Sequence, residues 1–321
     1  MSFAERRKER AKEKQLQKLE EQQCEWNKIK KPTNVLFNII LSVLSLLCVI
    51  PFIFVIIISF TDEQSLTMNG YRFIPEKWSL YAYEYIVSAG QNILKSYGVT
   101  ILVTVVGTLL GLLLIGTYAY ALSRKTYAFR SFFTKVITVP MLFSGGMIAN
   151  YLVMTKVLML KNSVWALILP LCMNSFNVIV LRTFFKTSIP DAVVESAKID
   201  GASEWKLFFK IVIPMAMPGL ATIGLFLTLG YWNDWFNALM YIDDKSWVPL
   251  QFLMIQIQNS IDWLASNKSM MGVEGIQAAA NLPKETIKMA IVVISTLPII
   301  FSYPFFQRYF VNGLTVGAVK E

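Results

Sequence analysis

Charges fall along this chain in clusters, and long uncharged stretches lie between them. Thirty uncharged residues separate Lys31 from Asp62, and 28 separate Lys95 from Arg124. Lys135 to Lys156 and Lys161 to Arg182 each enclose 20, Lys210 to Asp234 encloses 23, and Lys288 to Arg308 encloses 19. About 20 apolar residues in a helix cross the hydrocarbon layer of a bilayer. The stretches are rich in Leu, Ile, Val and Phe with interspersed Gly, Ser and Thr, a membrane-helix composition rather than a strand one. The pattern predicts an all-α membrane protein with six transmembrane helices, centred near Cys48, Leu110, Gly145, Cys172, Gly224 and Leu297. A seventh stretch, Lys245 to Asp262, has only 16 uncharged residues and contains Gln251, Gln256, Gln258 and Asn259. It reads as an interfacial or re-entrant segment.

Composition sharpens this reading. Of 321 residues, 55% are hydrophobic and 16% charged, against about 25% charged in an ordinary soluble domain. The net charge of +9 would suit a nucleic-acid binder, but its placement argues otherwise. Residues 1–34 carry ten Lys and Arg, 123–131 carry three, 182–210 carry five and 307–321 carry two. The alternate set, 62–95, 156–162 and 240–286, carries eight over a similar length. By the positive-inside rule both termini and the 182–210 loop face the cytoplasm, and the positive charge lies against anionic lipid. Nucleic acid is not needed to explain it. The chain divides into a charged N-terminal helix over 1–34, a six-helix membrane domain over 35–310 and a C-terminal tail over 311–321.

The sequence has no His, so His-based triads and most zinc sites are excluded. Cys24, Cys48 and Cys172 are too far apart for a metal knuckle. An intramembrane enzyme would need convergent catalytic groups within the spans, whereas most carboxylates here lie in loops. A secondary transporter would show inverted internal repeats, and none stands out. A stand-alone channel stays open at this point.

The loop 188–214 between spans four and five is the most specific segment. Ser188 and Asp191 have capping-box spacing, so a short helix is expected from Ile189 to Ile199, broken at Asp200-Gly201. Val194 and Ala197 share one face. A second short helix carries Trp205, Phe208 and Phe209, and Pro214 and Pro218 lead into span five. The pair forms a half-apolar, half-charged projection suited to a partner's groove.

Within this loop, Glu195-Ser196-Ala197, three residues, Gly201, nine residues, Ile211, one residue and Ile213-Pro214 resemble the EAA motif of ATP-binding-cassette importer permeases. Ser196 and Ile213 depart mildly from that pattern. Asp200-Gly201-Ala202 resembles its carbohydrate branch, and the tail from Gln307 to Lys320 is similar to that of the MalG-like group. The resemblance implies a type I importer permease fold with a cytoplasmic coupling helix. It implies a heterodimer with a second permease subunit, an ATPase dimer and an extracytoplasmic sugar-binding protein, all in a bacterial plasma membrane. No Walker A sequence is present, so this chain binds no cofactor of its own, and ATP and Mg belong to the partner ATPase. The resemblance assigns Glu195, Ser196 and Asp200 to the docking surface. Ala197, Gly201 and Ala202 would allow close approach, and Trp205 and Phe208 would brace the loop against the spans. The cargo implied is a sugar, an oligosaccharide ahead of a glycerol-phosphate-type substrate.

For the sugar path, the candidates are polar and aromatic residues near span ends. Span five closes with Trp232, Asn233, Asp234 and Trp235, where rings could stack on sugar faces and Asn or Asp could pair with hydroxyls. The other reading is an interfacial aromatic belt. Asn174 and Asn177 on span four could bind sugar or join helices. Ser144-Gly145-Gly146 interrupts span three and would serve a cavity or close packing.

Overall fold

A computed structural model describes residues 31–89, 93–267 and 284–318. The N-terminal helix expected over 1–34 lies almost wholly outside the described residues. The described chain is mostly helical. Its elements are α1 (Lys31–Ser59), α2 (Glu63–Asn69), α3 (Tyr81–Ala89), α4 (Ile93–Ser123), α5 (Arg130–Leu142), α6 (Gly146–Leu152), α7 (Val164–Cys172) and α8 (Ser175–Ser188). They continue with α9 (Asp191–Ile199), α10 (Glu204–Leu207), α11 (Ile213–Met215), α12 (Met217–Trp232), α13 (Phe236–Tyr241), α14 (Leu250–Ser266) and α15 (Lys284–Ala318). A π turn extends α6 over Val153–Val157, and another joins α10 to α11 over Phe208–Val212.

The described helices supply up to six spans, three as single helices and three more when each bent pair is counted as one span. Pro32–Ser59, Ile93–Ser123 and Lys284–Pro304 are single apolar helices. The other three are bent pairs: α5 with α6 at 119°, α7 with α8 at 49°, and the α10–α11 segment with α12 at 83°. Each bend has a local cause. Gly146 takes φ 80 after the Ser144-Gly145 break. Asn174 caps α8 by accepting from the N–H groups of Phe176 and Asn177, which starts a new helix after α7 ends. Pro218 sits in the first turn of α12, where a missing N–H does no harm.

The chain forms two compact units, meeting between Val55 and Ile56. In the first, the described part of α1 keeps its side chains exposed from Pro32 to Pro51. In the second, α4 is the central helix and packs against α12, α8 and α7. Small residues make this possible. A Cβ at Gly107 would fall on the Tyr231 ring, and one at Gly111 would lie 2.9 Å from the Cys172 carbonyl and from Leu227. With lipid as solvent, such close approach is what holds helices together. The core so formed includes Ile115, Ala119, Leu122, Leu181, Phe185 and Ile223.

The seventh stretch forms α14, whose 17 residues are too short to count as a span and which packs on both α4 and α15. Thr100 Oγ1 accepts from the Leu250 N–H at 2.8 Å and fixes its start. Of the aromatic residues between spans one and two, Tyr71, Phe73, Trp78 and Tyr81 are exposed, while Tyr83 and Tyr85 pack into a second core with Trp232 and Ile287. Glu63 of α2 caps α15 across the fold, accepting from the N–H groups of Glu285 and Thr286 and from the Thr286 hydroxyl.

Candidate functional site

The loop 188–214 is built by ordinary capping chemistry. Helix α9 starts at Asp191 behind Pro190, with no side-chain cap. The expected capping box is therefore absent: Ser188 belongs to the end of α8, and Asp191 faces a different partner. Its carboxylate lies 3.6 Å from Arg124 Nη1 and 3.2 Å from Lys125 Nζ, both on the loop after α4. Arg124 also donates from Nε to Ser123 Oγ and lies over the Tyr120 ring at 5.2 Å.

At the other end, Gly201 adopts φ 75. The Ala202 N–H donates to the Ala197 carbonyl and the Gly201 N–H to that of Lys198, both at 3.0 Å. This is a Schellman termination, which needs a left-handed residue at the Gly201 position. Nothing lies within 4 Å of where a Cβ would be, so backbone conformation rather than crowding calls for glycine. Ser203 then caps α10 by accepting from the Lys206 N–H, and Lys198 pairs with Glu204 at 2.6 Å across the turn.

Burial sorts the residues of the motif. Glu195, Ser196, Asp200 and Gly201 are exposed, whereas Val194 and Ala197 are buried. Ala197 and the half-buried Ala202 therefore serve the loop's own packing, because the C-terminal turn folds Ala202 back over Ala197. Phe208 is 4% exposed and packs against Tyr120, with Leu207 fully buried beside it. Trp205 does not brace the loop. It is 68% exposed and stacks only on Phe209, because α10 is a single turn whose inner face is taken by Leu207 and Phe208. Ile199, 86% exposed, adds an outward apolar side chain that pattern reasoning did not single out.

The sugar-path candidates do not converge. Trp232 is buried, packs near Tyr97 and donates from Nε1 to the Ser295 carbonyl at 2.9 Å, so its ring offers no free face. Asn174 is spent as the cap of α8, and Asn177 is buried at the first turn of that helix. Asn233 is the exposed C-cap of α12, donating to the Leu229 carbonyl. Asp234 accepts from the backbone and side-chain N–H groups of Asn237, and Trp235 is partly exposed against Phe236.

A cavity of about 420 Å³ lies beside these residues instead. It is bounded by the Ser144–Gly146 break, by α6 with its π turn, by Pro170 and by α13. Ser144, Asn150, Asn237 and Tyr241 supply its polar groups, and Met154 and Phe236 line it with others. Asn237 follows two residues after the span-five candidates, and only the structure places it beside a space. Asn150 carries no signal of its own. A loop at the end of the cavity holds Tyr241 in place: the Asn162 N–H donates to the Tyr241 carbonyl, and Asn162 Oδ1 accepts from the N–H groups of Asp243 and Asp244. Lys161 pairs with Asp243 at 2.7 Å, and that hydrogen bond raises the Lys161 ammonium above its ordinary pKa. The cavity has a volume suited to a small ligand and mixed polar and apolar walls.

The chain as a whole is similar to known proteins. A relative from Bacillus subtilis, the polygalacturonan/rhamnogalacturonan transport system permease protein YtcP, is 42% identical over 276 residues, which cover 86% of this chain and 94% of the relative. The LplC protein of Bacillus subtilis is 40% identical over 89% of this chain and 93% of its own length. Among solved structures, a bacterial ABC transporter involved in the import of the acidic polysaccharide alginate contains a similar chain. It has a TM-score of 0.74 at 28% identity, covering 88% of this chain and 99% of that one. Residues 105–316, which include the α9 loop and the whole cavity, match the family described as binding-protein-dependent transport system inner membrane component, and the chain belongs to that family.

Proposed function

We propose that this permease is one of two subunits forming the membrane pathway of an importer for oligosaccharides, driven by a separate ATPase dimer and supplied by an extracytoplasmic binding protein. The observation that carries it is the construction of the α9 loop. Its outer face presents Glu195, Ser196 and Asp200, while Phe208 anchors its other face to α4, the central helix of the bundle. A partner seated on this loop can therefore move the spans by a rigid-body push. In this reading both termini and the loop lie in the cytoplasm, as the Lys and Arg distribution favours. ATP and Mg act in the partner, and Glu195 and Asp200 make polar contacts at its surface.

The cargo follows from the relatives and the cavity together. Two similar proteins are named for polygalacturonan/rhamnogalacturonan and alginate transport. The cavity here offers amide, hydroxyl and aromatic groups suited to sugar rings. The test is ATPase activity of the reconstituted complex, with its binding protein, across neutral and uronate-containing oligosaccharides. Stimulation by one saccharide class supports the reading. Equal activity with every saccharide and with none, or activity unchanged by Glu195→Ala and Gly201→Asp, would sink it.

A further inference from the structure

The last span carries Pro298 within a continuous helix. Proline has no N–H, so the carbonyl four residues earlier, that of Ile294, lacks its helical donor. Inside a membrane no water replaces it. The structure fills the gap from another helix: the Tyr97 hydroxyl of α4 donates to the Ile294 carbonyl at 2.6 Å. Trp232 Nε1, from the end of α12, donates to the next carbonyl, Ser295, at 2.9 Å. The two rings lie 6.5 Å apart and pack in one cluster with Ile287, Ala290 and Ile291 of α15.

Tyr231, next to Trp232, makes a parallel tie to another span. Its hydroxyl donates at 2.7 Å to the Ile168 carbonyl in the middle of α7, the helix that precedes the bend into α8. The end of α12 thus ties together two interrupted spans through consecutive side chains.

These bonds differ from an ordinary helical ladder in one respect. They join α15 to α4 and α12, so any sliding of α15 against those helices breaks them, while the ladder on either side of Pro298 survives. We propose that α15 hinges at Pro298 during the transport cycle, and that Tyr97 and Trp232 are positioning residues that hold the hinge in the arrangement seen here. The side-chain donors fix one of two arrangements of the span, and loss of either frees the other.

The test is a distance measurement by electron paramagnetic resonance on the complex of this chain with its partner permease and ATPase in lipid nanodiscs. Spin labels are placed at Leu94 and Phe301 in a background with Cys24, Cys48 and Cys172 replaced. Four chains are compared: unaltered at these sites, Tyr97→Phe, Pro298→Ala and the double variant. In the first, addition of ATP and magnesium shifts the distance distribution. Tyr97→Phe raises the population of the shifted distance without nucleotide by about two- to tenfold, the range expected for one hydrogen bond of ordinary net strength. Pro298→Ala restores the missing N–H, so Tyr97→Phe changes little in that background.

Three results would overturn the hinge: no shift with nucleotide, the same change from Tyr97→Phe in both backgrounds, or a loss of assembled complex with an unaltered distribution. No saccharide enters the experiment, so its failure and the failure of the cargo reading are separate outcomes.

Discussion

The ring of Phe208 lies 5.2 Å from that of Tyr120, and Tyr120 in turn meets the edge of Phe185 at 6.1 Å. These three rings join the projecting loop to α4 and α8 in one packed cluster. Phe208 also reaches to within 3.7 Å of where a Cβ on Gly116 would stand. A force applied at Glu195 has a stiff path into the central helix, because packed interiors transmit strain.

Removing that path should uncouple the two halves of the cycle. Phe208→Ala deletes a buried aromatic side chain, and such truncations cost about 3–5 kcal/mol in well-packed cores. The expected result is a lower melting temperature of the purified complex and a larger fall in uptake than in ATP hydrolysis. Phe208→Leu refills most of the space and should recover most of both. Full uptake by Phe208→Ala would show that the loop moves the spans by another route.

Gly201 makes a prediction of a different kind, since its demand is conformational. A non-glycine residue in the left-handed region costs about 1–2 kcal/mol, with Asn tolerated better than most. Open space around the site means size alone should matter little. Uptake should therefore fall in the order Gly, Asn, Ala, Val at position 201, with the drop set by branching at Cβ. If Gly201→Val transports as well as Gly201→Asn, backbone conformation is not the reason for glycine here.

These two sites also show what could be read from the chain alone. The six spans were legible because each is a long gap between charges, and Gly201 was legible because its spacing from Glu195-Ser196-Ala197 is specific. The two aromatics expected to brace the loop part ways: Phe208 is buried against Tyr120, whereas Trp205 is exposed. Trp205 sits on α10 and Phe208 opens the π turn that follows it, and only the one-turn length of α10 and the burial of Leu207 decide which faces inward. Trp232 misled for a similar reason. An indole at a span end suggests an open ring, whereas its actual partner is a carbonyl 63 residues away beside a proline. The breaks in the three bent spans carry local signals at Gly146, Asn174 and Pro218, but the angles at those breaks depend on neighbours from distant sequence.

The ion pair at the start of α9 gives a third prediction. Arg124 is 11% exposed in its side chain and has Asp191 as its carboxylate partner, at an ion-pair distance too long for a hydrogen bond. Lys125 reaches the same carboxylate but is mostly exposed. Lys125→Ala should therefore change stability by less than about 0.5 kcal/mol, as exposed pairs do. Asp191→Ala should be worse, because it leaves a largely buried cation without its carboxylate. Exchanging the charges, with Arg124→Asp and Asp191→Arg together, should restore part of what either change alone removes. A double-mutant cycle on melting temperature and on uptake measures this directly. Additive effects would mean that the two residues act independently.

The last prediction concerns the cavity, and it separates cargo recognition from the motor. Asn237 commits its amide N–H group to Asp234 and leaves its carbonyl oxygen as an acceptor toward the space it lines. A sugar hydroxyl can donate to that oxygen, and Asn150 and Ser144 stand across the same space. Asn237→Leu keeps a similar volume but removes the acceptor and the side-chain N–H donor to Asp234, whose backbone donor at position 237 remains. Asn237→Asp would place two carboxylates side by side, which repels a second negative charge more strongly than a neutral hydroxyl. Neither change touches the α9 loop. In the reconstituted complex, ATP hydrolysis without substrate should stay close to the parent level for both. Transport of a neutral oligosaccharide should fall with Asn237→Leu, and transport of a uronate oligosaccharide should fall further with Asn237→Asp than with Asn237→Leu. If both variants carry both saccharides at the parent rate, the cavity is a packing gap between α6 and α13, and the cargo takes another path.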